Sequence, residues 1–133
     1  MAEFELLPQM IKQAVLRRIG PGERIRMCFV AKAPLALGRD FVVITDLRVL
    51  VVDERRLAGI GGRYANVRGD IPIGEILEIE IRRGFKDRML GQCDLSLRLE
   101  AGEFIIRGAS FGEVKAAVEL INSLRKAGAR PAG

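Results

Sequence analysis

Seven consecutive residues, Arg82-Arg83-Gly84-Phe85-Lys86-Asp87-Arg88, carry four cations against one carboxylate, a net +3 and the densest basic site on the chain. The chemistry open to them is ionic attraction to an anionic surface or an acidic partner. At about 1 kcal/mol per basic residue near an anionic lipid surface, the cluster supplies only roughly 3 to 4 kcal/mol, near millimolar affinity. Arg82, Arg83, Lys86 and Arg88 are therefore candidate anion or partner contacts that need help from a second copy or from another basic site such as Lys12, Arg17 and Arg18. The competing expectation is a solvated hairpin tip.

Covalent and metal chemistry have little to work with. The chain has no histidine, which removes the usual general base and the commonest metal ligand. Ser96, Ser110 and Ser123 are the only serines, and none sits in a G-x-S-x-G turn. Glu78 and Glu80, two apart on one strand face, could hold a cation, but Arg82 and Arg98 are at hand to neutralise them. Gly59-Ile60-Gly61-Gly62 lacks the G-K-[ST] ending of a phosphate loop. Cys28 and Cys93 are 65 positions apart, fall on faces of different character, and read as free packing thiols. No enzyme, cofactor or metal is expected.

The overall balance of 22 Lys plus Arg against 17 Asp plus Glu gives +5. Nucleic acid is a poor match, because single-strand binding needs aromatic platforms and the chain has no Trp and one Tyr, Tyr64, in the connection from Asp53 to Asp70. That connection holds four arginines against three acids, and its length suits a mobile or partner-binding loop.

The elements that must position these residues are legible from hydrophobic periodicity. Pro8 to Ile19 reads as a helix with Ile11, Ala14, Val15 and Ile19 on one face, ended by Gly20-Pro21. Alternation marks strands at Ile25-Met27-Phe29, at Leu77-Ile79-Ile81 and at Leu95-Leu97-Leu99. Further strands fall at Asp40 to Thr45, Arg48 to Asp53, around Val67 to Ile73, and Glu103 to Arg107, seven in all. Thr45-Asp46 supplies the turn of a tight hairpin. Ser110 caps a last helix with Glu113 three positions on. Its stripe of Phe111, Val114, Ala117, Val118, Ile121 and Leu124 ends at Gly128.

Several segments are similar to the bacterial pleckstrin-homology and GRAM-like families: Gly22-Glu23-Arg24-Ile25, the hairpin from Val43 to Leu50, the run Ile71 to Ile79, and Gly108-Ala109-Ser110-Phe111. The resemblance covers roughly residues 22 to 127. It implies a mainly β domain, a seven-stranded barrel in a four-plus-three arrangement capped by a C-terminal helix, with the N-terminal helix as an addition. It does not imply a ligand, since this fold hosts lipid, peptide and oligomer contacts alike. Lipid binders of the fold resemble one another in a Lys/Arg-rich first hairpin. Here Ala31 to Arg39 offers only Lys32 and Arg39, so no lipid-binding residue is carried over.

The expected organisation is an amphipathic helix over 1–21, a barrel domain over 22–128 and a flexible tail over 129–133. Phe41 to Ile44 and Val49 to Val52 are apolar on both faces, so their outer face requires a cover. Ile11, Val15 and Ile19 are the candidate helix-packing or oligomer surface, on their own barrel or a neighbour's. The expected function is a non-enzymatic protein-interaction or homo-oligomerisation module, with weak peripheral binding to anionic membrane lipids as the alternative. No run reaches the ~20 apolar residues of a membrane span, and the acidic start Met1 to Glu5 does not resemble a secretory signal. The expected location is cytoplasmic, at most peripheral to the inner membrane face.

Overall fold

The computed structural model describes residues 3–33, 38–56 and 63–129. The Gly59–Gly62 run, part of the first hairpin loop and the tail from residue 130 lie outside the described residues. All seven expected strands are present: β1 (Ile25–Ala31), β2 (Asp40–Thr45), β3 (Arg48–Arg56), β4 (Arg63–Pro72), β5 (Glu78–Arg82), β6 (Gln92–Leu99) and β7 (Gly102–Ser110). They form one antiparallel sheet in the order β4-β3-β2-β1-β7-β6-β5. Two meanders, four strands and three, meet at a corner where Ala31 of β1 pairs with Ala109 of β7. There the Lys32 N–H donates to Gly108 O at 3.1 Å.

β4 and β5 end the order without pairing, so hydrogen bonds do not close the barrel. Side chains tie β4 to β7 and β2 instead. A β-bulge at Arg68 shifts the β3–β4 register between Val51↔Gly69 and Val52↔Val67. Arg68 stacks on Phe104 at 4.6 Å and donates to Asp40 at 2.7 Å and to Ile105 O at 3.0 Å. Gly69 leaves room for that ring, since a Cβ there would stand 2.6 Å from Phe104.

Helix α1 (Gln9–Arg18) follows a 3-10 turn at Phe4–Leu6, α2 (Phe85–Leu90) links β5 to β6, and α3 (Phe111–Ala129) ends the fold. Two cores share the sheet. The inner one joins Met27, Phe29, Val42, Ile44, Val49 and Val51 to Leu95, Leu97 and Ile106, and α3 closes it with Val114, Ala117 and Ile121. Phe111, Val118 and Leu124 complete the stripe half-buried. The outer core packs Ile11 and Val15 of α1 on Cys28, Phe41, Val43, Leu50 and Val52. The cover for the doubly apolar strands is thus the chain's own N-terminal helix. Cys28 and Cys93 are free, buried, and in different cores.

Five expectations need correction. The connection from Asp53 to Asp70 is mostly strand, because residues 53–56 and 63–70 extend the β3–β4 ladder, and Tyr64 pairs with Arg55 within it. The basic hairpin tip is the helix α2, since Gly84 and Gly91 bracket six residues of which Lys86, Arg88, Met89 and Leu90 are good helix formers. The Gly84 N–H donates to the Asp87 carboxylate at 2.9 Å, and Gly91 ends the turn at φ +68°. Leu77 precedes β5 and is exposed, its backbone held by Arg98 O and Arg125 rather than by the ladder's alternation. Ser96, which the alternation of Leu95, Leu97 and Leu99 places on the polar face of β6, is buried, because Glu103 and Arg82 lie over it. α3 also runs one residue past Gly128.

Ile121 is fully buried in the inner core. Ile121→Ala should cost about 2 to 5 kcal/mol in a denaturant melt, and Ser123→Ala, on the exposed side of the same helix, less than about 0.5 kcal/mol. Equivalent melts would contradict the packing of α3. Asn122 is no neutral control: it is half-buried and accepts from Arg125 at 3.2 Å.

Candidate functional site

The basic segment assembles around α2, but its four cations are not equivalent. Arg82 is engaged with Glu80 at 3.2 Å and with Glu103 at 2.6 Å. Glu103 also accepts from the Ser96 hydroxyl. That hydroxyl, opposed by desolvation and aided by Arg82 and Arg107, leaves the Glu103 carboxyl below its ordinary value, hence charged at neutral pH. Arg83 donates to Gln92 O at 3.2 Å and stacks 3.9 Å from the Phe111 ring centroid, tying α2 to the start of α3. The Phe111 N–H donates to Gly91 O at 2.9 Å and makes the same junction from the backbone. Arg82 and Arg83 therefore hold the scaffold, while Lys86 and Arg88 are exposed and form no ion pair among the described residues.

Around those two cations stand side chains that charge counting overlooks. Phe85 is 80% exposed, Met89 73% and Leu90 67%. Phe85 and Met89, four apart, share one helix face, and Leu90 follows in the last turn. Isolated exposed apolar residues are ordinary, but three in six residues form a patch. The sequence carries this signal as Phe85 and Met89 at helical spacing between Gly84 and Gly91, a spacing that a hairpin would not use.

The other candidate residues are dispersed. Ile11 and Val15 are fully buried on β2 and β3, and Ile19 packs half-buried beside them. Lys12 donates to Glu5 O at 3.2 Å, and Arg18 pairs with Asp70 at 3.4 Å. Glu78 and Glu80 pair with Arg98 and Arg82 at 3.1 and 3.2 Å, the neutralised strand face expected of them. Among the described residues no group of His, Cys, Asp or Glu is arranged to hold a metal, and no helix is long and apolar enough to cross a membrane. Burial pushes the Cys28 thiol up to about 11, so it is protonated and unreactive at neutral pH.

Two antiparallel meanders around one core, with a C-terminal helix across it, define a pleckstrin-homology-like module. A crystal structure of a DUF1696 family protein with a pleckstrin-homology domain, from Shewanella loihica PV-4, shares this fold at a TM-score of 0.57 and 16% identity. The match covers 86% of this chain and 90% of that one. At that identity the likeness carries the fold alone. No family model and no curated protein matches the sequence.

Proposed function

We propose that this protein is a non-enzymatic interaction module that docks peripherally on an anionic membrane surface through α2. The observation that carries the reading is the juxtaposition of exposed Phe85, Met89 and Leu90 with uncommitted Lys86 and Arg88 on one projecting helix. Two cations at about 1 kcal/mol each give only a weak attraction. A Phe, Leu or Met side chain moved fully out of water contributes about 1.5 to 3 kcal/mol, so three of them at the headgroup boundary supply the missing second contact. Self-association through the outer face of β2 and β3, the other reading, would require α1 to vacate that face.

Sedimentation with vesicles of phosphatidylcholine, with and without phosphatidylserine, tests this. The protein should pellet with the anionic vesicles at low salt and be released as salt shortens the screening length. Phe85→Ala/Met89→Ala should abolish most of the binding, whereas Lys86→Ala/Arg88→Ala should weaken it and flatten its salt dependence. Absence of pelleting at low salt, or equal pelleting with neutral vesicles, sinks the proposal. Arg82 and Arg83 are unsuitable probes, because removing them disturbs the β5–β6 junction itself.

A further inference from the structure

A second surface lies at the far end of α3. Phe111 meets α2, and fourteen residues later, about 21 Å along the helix axis at 1.5 Å per residue, Arg125 lines a groove of about 730 Å3. Its other walls are the β2–β3 turn and the 3-10 turn at Ile73–Glu75. Leu47, Ile73, Ile76 and Leu124 give it an apolar floor. Ile73 and Ile76 are buried in the inner core, so the floor is rigid, while Leu47 is 58% exposed.

The polar groups around that floor are unbalanced. Arg125 is held in place by two neutral acceptors, Asn122 Oδ1 at 3.2 Å and Leu77 O at 3.1 Å, and pairs with no carboxylate among the described residues. Lys126, beside it, forms no ion pair among them either. Asp46 also lines the groove, but its carboxylate oxygen Oδ1 is buried away from solvent.

An occupant that satisfies these features carries a carboxylate for Arg125 and Lys126 and an apolar side chain for the floor between them. A peptide with acidic and apolar side chains supplies both. A nucleotide does not suit, because no aromatic side chain among the described residues lines the groove for base stacking, and a flat bilayer cannot enter a concave cleft. We propose that this groove binds an acidic, apolar peptide segment of a partner protein.

A peptide array combining Leu, Ile or Phe with Asp or Glu at every spacing, beside a matched array with Lys replacing the acids, tests the proposal on the full chain. The acidic array should retain the protein and the Lys array should not. In titration of the best acidic peptide, backbone NMR shifts should cluster at Leu47, Gly74 and Leu124. Two variants should each weaken that peptide at least tenfold: Lys126→Glu, which inverts a surface charge, and Gly74→Leu, which fills the groove. A Cβ at Gly74 meets nothing within 4 Å, so the second variant leaves the core undisturbed. Both should pellet with vesicles as the parent does, which separates this site from α2. No acidic preference, unchanged affinity in either variant, or shifts centred on α2 overturns the proposal.

Discussion

Gly108→Ala is expected to destabilise the domain by about 4 kcal/mol or more, a large part of the roughly 5 to 15 kcal/mol that holds a domain together. Gly108 sits at φ +74°, a region that an L-residue enters at a cost of about 1 to 2 kcal/mol. Sterics add to this: a Cβ there would lie 2.0 Å from Lys32 O and 2.6 Å from Lys32 C. Those are backbone atoms, and the same carbonyl region is pinned because the Lys32 N–H donates to Gly108 O. The chain cannot yield without separating β1 from β7 at the one residue pair, Ala31↔Ala109, that joins the two meanders. A urea melt of the variant within about 1 kcal/mol of the parent would mean that this corner does not hold the meanders together.

Arg48→Ala should cost about 3 kcal/mol at neutral pH. Glu23, with its side chain 1% exposed, is a buried carboxylate whose counter-charge is the Arg48 guanidinium. Nε and Nη2 of Arg48 donate to its two oxygens at 2.9 and 3.0 Å. Removing one partner of such a pair strands the other charge, at a typical cost of 3 to 5 kcal/mol. Burial raises the Glu23 carboxyl, but hydrogen bonds from Thr45, the Gly20 N–H and Arg48 outweigh it, and the net displacement is below the ordinary value of 4.5. A depressed carboxyl contributes stability that is present above its unfolded-state value and lost as pH falls through the folded one. The gap between parent and variant should therefore be widest near pH 7 and shrink steadily below about pH 4. Arg48→Lys, a point charge without the two-pronged geometry, should fall between them. A gap that persists unchanged in acid would assign the effect to packing of the arginine stem.

The fold was readable because its signals are local. Alternation at Ile25-Met27-Phe29, the Thr45-Asp46 turn and the α3 stripe each report one element's own burial. Thr45 shows why the turn reads so clearly: its hydroxyl oxygen accepts from the Leu47 and Arg48 N–H groups within one tight loop, while its O–H donates to Glu23, 22 positions away. The doubly apolar β2 and β3 even announced that a cover was required. What the residues around Arg82 could not announce is who neutralises whom. Arg82 finds Glu103, 21 positions away, only because β6 lies between β5 and β7. The peptide groove is less legible still, since the Thr45–Arg48 turn, Ile73 and Arg125 are brought together by tertiary packing alone. The continuation of β3 and β4 past Asp53 and before Val67 was masked by charge, because Glu54, Arg55 and Arg63 are poor strand formers and pair across the ladder regardless.

The cover that α1 provides has a consequence for how the protein is made. Ten residues are too few for a helix to hold its shape alone in water, so α1 depends on the sheet beneath it. That sheet does not yet exist when α1 is translated: β3 is complete only at Arg56, about 40 residues later, a delay of roughly 2 to 8 s at ordinary elongation rates. Until α1 docks, Phe41, Val43, Leu50 and Val52 on the outer face of β2 and β3 have no cover. Helix α1 thus waits for the strands that it covers. In that interval, a nascent chain is most exposed to capture by a chaperone or by the strands of its neighbour on the same message.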